Sequence, residues 1–194
     1  MAIPKLILAS ASPRRSELLA QIGVPFEVAA QHIDETAEAE ESPENLVIRL
    51  SREKAAAALA TQADAACVVL GSDTLVVLDS AIMGQPRNKA DALQMLKALS
   101  GSSHRVLTAV TVCNSSHSRT KLSSTEVRFR DITASEAEAY WESGEPVGKA
   151  GAYGIQGLGA VFVESIVGSY SGVMGLPLFE TAQLLQEFDV PCWQ

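Results

Sequence analysis

The chain has few cysteines, few histidines and a deficit of positive charge. Its 194 residues include three cysteines and three histidines. Cys67, Cys113 and Cys192 are odd in number and share no metal-ligand spacing. That argues against a disulfide framework and for reduced thiols in a cytoplasmic protein. His32, His104 and His117 are scattered, which leaves no histidine metal motif. Lysine and arginine total 15 against 23 acidic residues, a net charge of −8. Bulk nucleic acid needs a basic face and is excluded as a partner. A small anionic ligand stays open, because it needs only a local positive pocket. No apolar run approaches the roughly 20 residues of a membrane span, and the short N-terminal apolar run lacks a small-residue cleavage site. There is no Gly-x-Ser-x-Gly elbow and no Walker lysine loop. No repeat, low-complexity tract or linker divides residues 1–194, which read as a single domain, of one lobe or two.

What is present begins at the first strand. Leu6-Ile7-Leu8-Ala9 runs into Ser10-Ala11-Ser12 and then into a helix opening at Pro13. Ser12 suits the N-cap and Pro13 the first helical position. The first turn carries Arg14 and Arg15, where the helix dipole favours anions. Free N–H groups, hydroxyls and two guanidinium groups converge there. A bound polyphosphate explains this; a capped helix with two solvated arginines is the plainer alternative.

Periodicity predicts helices over 13–22, about 43–60, 88 or 89 to 99, 133–143 and 177–188. Strands are expected over 5–9, 26–29, 67–70, 74–78, 106–113, 121–130 and 161–164. Asp79-Ser80 is the expected hairpin turn and Thr133-Ala134-Ser135-Glu136 a capping box. Helices and strands mix without strict alternation, so the fold class is α/β with a mixed central sheet flanked by helices.

Asp73, in Gly71-Ser72-Asp73-Thr74, sits between two apolar runs as though at a strand end. There it can hold a metal or activate water, or merely bond its own turn. Asp34 and Glu35 form a carboxylate pair that could bind magnesium, though a solvated loop is the plainer reading. Arg49 and Lys54 lie on the long helix, where surface charge is ordinary. Arg87 follows the stiff loop Gly84-Gln85-Pro86 and is a weak candidate for a phosphate contact. The run from Lys149 to Gly159 is dense in glycine, but no helix follows it, so it is no dinucleotide fingerprint. With the glycine-rich stretch 168–177 it suits a base-and-sugar pocket in which Gln156 reads a base edge through its amide.

Taken together, these segments resemble the Maf family of nucleoside triphosphate pyrophosphatases. The resemblance runs through Ala9-Ser10-Ala11-Ser12-Pro13-Arg14-Arg15, Ile33-Asp34-Glu35, Arg52-Glu53-Lys54-Ala55, Gly71-Ser72-Asp73-Thr74, Gly84-Gln85-Pro86-Arg87, Gly151 to Gly157, and Gly175-Leu176-Pro177-Leu178. It implies two lobes around a substrate cleft, a Maf/ITPase-like fold, often as a homodimer. It implies hydrolysis between the α- and β-phosphates, with Asp73 as proton acceptor. Ser10, Arg14, Arg15 and Lys54 would neutralise phosphates, with Arg87 as a further candidate. Magnesium or manganese would sit at Glu35 and Asp73. Three positions track base preference in the family, and Arg14, Thr74 and Gln156 match its dTTP/UTP branch. The 7-methyl-GTP branch tends to a bulky aromatic, a Gln and a Glu there. A purine-directed enzyme of that kind is the alternative substrate class. A non-enzymatic nucleotide-binding inhibitor of septum formation is the alternative outside catalysis. Gln85 departs from the family's usual lysine.

Overall fold

The computed structural model describes residues 3–64 and 66–193. β1 (Leu6–Leu8) is apolar throughout and buried on both faces, as an interior strand must be. It leads to α1 (Pro13–Gln21). Ser12 holds the N-cap position with extended backbone, but its side chain makes no capping bond. Its own N–H donates to Ser10 Oγ at 3.2 Å. The short β2 (Glu27–Val28) follows, then α2 (Pro43–Ala60), capped by Ser42 through the Asn45 N–H. β3 (Val68–Leu78) turns at Asp79-Ser80 into β4 (Ala81–Met83), with Leu78 paired to Ala81. Asp79 takes a φ of +54° there, a conformation aspartate tolerates. Asn88 caps α3 (Lys89–Leu99). β5 (Ser103–Cys113) and β6 (Ser118–Phe129) form a long hairpin. Thr133 and Glu136 make the expected capping box of α4 (Ala134–Glu142).

Past α4 the chain differs from expectation. The strand foreseen over 161–164 begins as a 3₁₀ turn, Leu158–Phe162, and becomes β7 (Val163–Val167) only afterwards. The glycine-rich stretch 168–177 contains a short helix, α5 (Tyr170–Met174), capped when Ser169 accepts from the Gly172 N–H. Glycine hid that helix from propensity, and the cap at Ser169 was its one signal. α6 (Leu178–Glu187) closes the fold.

The sheet order is β2-β1-β3-β5-β6-β7, with β4 on β3. β1 pairs parallel with β2 and β3, and the remaining pairs are antiparallel, so the sheet is mixed as predicted. β3 is also continuous over 11 residues, not two runs broken at Gly71-Ser72-Asp73. The ladder to β5 runs unbroken from Val69–Cys113 to Val77–Arg105 and holds all three residues in register.

Among the described residues two large apolar clusters dominate the core, with two smaller ones packed under α2. One gathers Leu6, Leu8, Leu19, Leu70, Val112 and Leu184, from β1, α1, α6 and the near ends of β3 and β5. The other gathers Val76, Leu96, Val106, Phe129, Tyr140 and Phe162 around α3 and α4. Each fully buried large side chain contributes about 1.5–3 kcal/mol. β3 and β5 supply both clusters, which makes two lobes of one sheet. Met174 packs against both.

Candidate active site

Strand alternation sets Gly71 and Asp73 on one face of β3 and Ser72 and Thr74 on the other. α2 covers the first face at contact distance. A Cβ added to Gly71 would lie 2.5 Å from the Ser51 carbonyl oxygen and 2.7 Å from the Ala55 nitrogen. Glycine therefore lets the helix backbone rest on the strand, and Lys54 of α2 reaches over Asp73. Its Nζ stands 2.5 Å from Asp73 Oδ1 and 2.6 Å from Glu35 Oε1. Asp73 is only 6% exposed, whereas the Glu35 side chain is 60% exposed. Burial pushes the Asp73 carboxyl above the usual carboxylate range. Lys54 and Arg15 hold that rise back, and Glu35 adds to it.

The other face ties three segments together through Arg15. Its Nε donates to the Gly175 carbonyl at 2.9 Å, Nη1 to Ser10 Oγ at 3.1 Å and Nη2 to Thr74 Oγ1 at 3.3 Å. Thr108 also donates to Thr74 Oγ1, at 3.0 Å, and Ser72 donates to the Gly175 carbonyl at 3.0 Å. Ser10, 7% exposed, thus faces Arg15 and the Ser12 N–H and does not line the cleft. Arg14 donates to the Met174 carbonyl at 3.4 Å and is otherwise turned to the cleft.

That cleft, of about 740 Å³, brings together Arg14, Arg15, Glu35, Lys54, Asp73, Thr74 and Gln156. Residues spread over 142 positions of sequence meet in it because β3 leaves the first lobe for the second here. Arg87 does not line it. Its side chain is 83% exposed and paired with Asp91 at 2.9 Å. Gln85 does line the wall, so Arg87 supplies no charge in its place. Asp34 is a turn former, accepting from the Thr36 N–H at 2.9 Å. Arg49 fastens the segment behind Glu35 to α2, donating to the Thr36 carbonyl at 3.0 Å and to both Glu41 oxygens at 2.8 Å.

Lys149 lines the cleft and was not singled out from sequence. Burial lowers its ammonium below the usual lysine range, and neighbouring Arg14 lowers it further. Its position at the head of the glycine-dense run was the available signal. Four cations (Arg14, Arg15, Lys54, Lys149) thus face two carboxylates in a protein of net charge −8.

Among the described residues, no group of three or more His, Cys, Asp or Glu side chains is placed to hold a metal. Glu35 and Asp73 converge as a pair through Lys54. Magnesium commonly takes one or two carboxylates and completes its shell with phosphates and water. The pair fits a cation that arrives with a polyphosphate, not one held in a protein cage.

Fold and cleft define an α/β protein with a buried carboxylate set among four cations in a cleft between two lobes. The chain belongs to the Maf family, whose model, described as Maf-like protein, matches residues 5–188. It is 54% identical over 188 residues to a dTTP/UTP pyrophosphatase of Vibrio cholerae serotype O1, covering 97% of this chain and all of that one. It is 51% identical over 191 residues to a dTTP/UTP pyrophosphatase of Saccharophagus degradans, covering 97% and 91% of the two chains. Among solved structures it is similar to the Staphylococcus aureus Ham1 protein, with a TM-score of 0.45 and 14% identity over 82% of this chain and 79% of that one.

Proposed function

We propose that the chain hydrolyses dTTP and UTP, and modified pyrimidine triphosphates, to the nucleoside monophosphate and pyrophosphate. The observation that carries this is one cleft joining the buried Asp73–Lys54 pair to Arg14, Thr74 and Gln156. The naming of relatives about half identical over nearly the whole chain supports it.

Asp73 takes a proton from water as the water oxygen bonds to a phosphorus of the α–β anhydride. The bridging P–O bond breaks, and its electron pair leaves with the departing phosphate group. Burial makes Asp73 a better base than a solvated carboxylate. Lys54 fixes Oδ1 and leaves Oδ2 for the water. Arg14, Lys54 and Lys149 face the phosphate charge. Gln156 offers both a donor and an acceptor to a uracil or thymine edge. Magnesium or manganese, held by Glu35, Asp73 and phosphate oxygens, would add charge neutralisation at the phosphates.

The test is pyrophosphate release from canonical and modified triphosphates with magnesium or manganese. Rapid release from dTTP and UTP, and slow release from GTP and ATP, is expected. A purine preference of tenfold or more in kcat/KM would overturn the pyrimidine assignment. No release from any triphosphate would overturn the enzyme. A cytoplasmic homodimer is part of the same proposal, checked by light scattering and cell fractionation. Among the described residues, no helix is long and apolar enough to cross a membrane.

A further inference from the structure

Glu145, just past α4, has its carboxylate bonded wholly to the protein. Its Oε1 accepts from the Tyr140 hydroxyl at 2.7 Å and from the Gly159 N–H at 3.0 Å, and its Oε2 accepts from the Leu158 N–H at 2.7 Å. The Tyr140 oxygen accepts in turn from the Gly154 N–H at 3.0 Å. Lys149 donates to the Glu145 main-chain carbonyl. Both ends of the turn 154–159 are therefore pinned to one pair of side chains. Within it the Gly157 N–H donates to the Gly154 carbonyl at 3.3 Å. Gln156 lies inside that turn, exposed and lining the cleft.

Two glycines of this run are required by the Tyr140–Glu145 pair. A Cβ at Gly157 would lie 2.2 Å from Glu145 Oε2, and one at Gly159 would lie 2.6 Å from the Tyr140 oxygen. The run is a backbone wrap around Glu145, which explains why it carries glycine without binding a dinucleotide. The wrap needs a carboxylate. Both oxygens of Glu145 accept, so a glutamine would turn its NH₂ group towards a donor on one side. Burial pushes the Glu145 carboxyl up, but the bonds from Gly159, Tyr140 and Leu158 outweigh it and leave it below the usual range.

We infer, building on the proposed pyrimidine selectivity, that Tyr140 and Glu145 are positioning residues for Gln156. They hold the turn that presents its amide to the base, and so set base selectivity without touching the nucleotide. The site's chemistry lies elsewhere, on Asp73 and Lys54, so a loosened turn should change which base is accepted more than how fast a bound triphosphate reacts.

The experiment measures kcat and KM for dTTP and GTP in Tyr140→Phe and Glu145→Gln, each with and without Gln156→Ala. The dTTP-to-GTP ratio of kcat/KM should fall roughly tenfold, the scale of one net hydrogen bond. The fall should come chiefly from KM for dTTP, with kcat within about twofold. In the Gln156→Ala background the same changes should lower the ratio no further. Tyr140→Phe keeps the ring against Phe162, at 5.1 Å between centroids, and serves if Glu145→Gln folds poorly. A folded Tyr140→Phe enzyme with an unchanged ratio would overturn the inference. So would equal losses for dTTP and GTP, or losses additive with Gln156→Ala. A wild-type protein with no pyrimidine preference overturns the proposed function, and this inference with it; a selective wild type with unchanged variants overturns the inference alone.

Discussion

At the scale of single residues, Asp73 sits where burial and charge pairing oppose each other. Burial raises its carboxyl, and Lys54 at 2.5 Å and Arg15 lower it. Burial wins. The folded protein thus holds the Asp73 proton more tightly than the unfolded chain does. The resulting stabilisation is present below the unfolded pKa of 3.8 and is lost as pH rises through the higher folded value. At neutral pH the ionised carboxylate costs stability. Asp73→Asn should therefore lose about 100-fold or more in kcat while its Tm at pH 7 stays level or rises. The gap in Tm should narrow towards pH 4, and calorimetry across pH checks it. Wild-type kcat/KM should fall on acidification at a pH above that of an ordinary aspartate. The two arginines of α1 separate in the same way. Arg14 has one long bond to the Met174 carbonyl, so Arg14→Ala should weaken triphosphate binding by the roughly 1.5–3 kcal/mol of a charge-assisted contact and leave Tm nearly unchanged. Arg15 joins Ser10, Thr74 and Gly175, so Arg15→Ala should lower Tm by several degrees as well. Titration calorimetry and thermal melts distinguish the pair.

At the scale of elements, the site depends on how closely α2 lies on β3. Gly71 makes that approach possible, with two α2 backbone atoms inside the space a Cβ would need. Gly71→Ala should push the helix outward, cost about 1–3 kcal/mol as overpacking does, and draw Lys54 away from Asp73. Urea unfolding measures the first effect and the loss of kcat the second. The Gly-Ser-Asp-Thr segment was legible as chemistry but not as strand. Glycine and aspartate are both poor strand formers, and the ladder to β5 overrides them. The capping box of Thr133 and Glu136 was legible because its two residues lie three positions apart.

At the scale of the molecule, the proposed selectivity belongs to the cleft and not to any one element. Thr74 comes from β3, Gln156 from the wrapped turn and Arg14 from α1, and the two lobes bring them within one cavity. Thr74→Gln with Gln156→Glu should erode the preference for dTTP over GTP, leaving Asp73-dependent pyrophosphate release in place. A kinetic panel on the double variant checks this. The positive lining of the cleft coexists with a net charge of −8, because only the cations that face inward act on the ligand at short range.

The sequence by itself determined the α/β class, the mixed sheet, most helices and the capping box at Thr133, and the candidates Arg14, Lys54, Asp73, Thr74 and Gln156. Each of these is a matter of local spacing, propensity or motif. Only the tertiary structure decided which candidates share a cleft. It turned Arg87 out to solvent and Ser10 inward, and brought Lys149 and Gln85 to the wall. It also gave Gly157 and Gly159 their reason, the carboxylate of Glu145 and the hydroxyl of Tyr140. Those outcomes depend on contacts between residues far apart in the chain, such as Arg15 with Gly175 and Glu145 with Gly159 across the end of α4, and no local pattern records them.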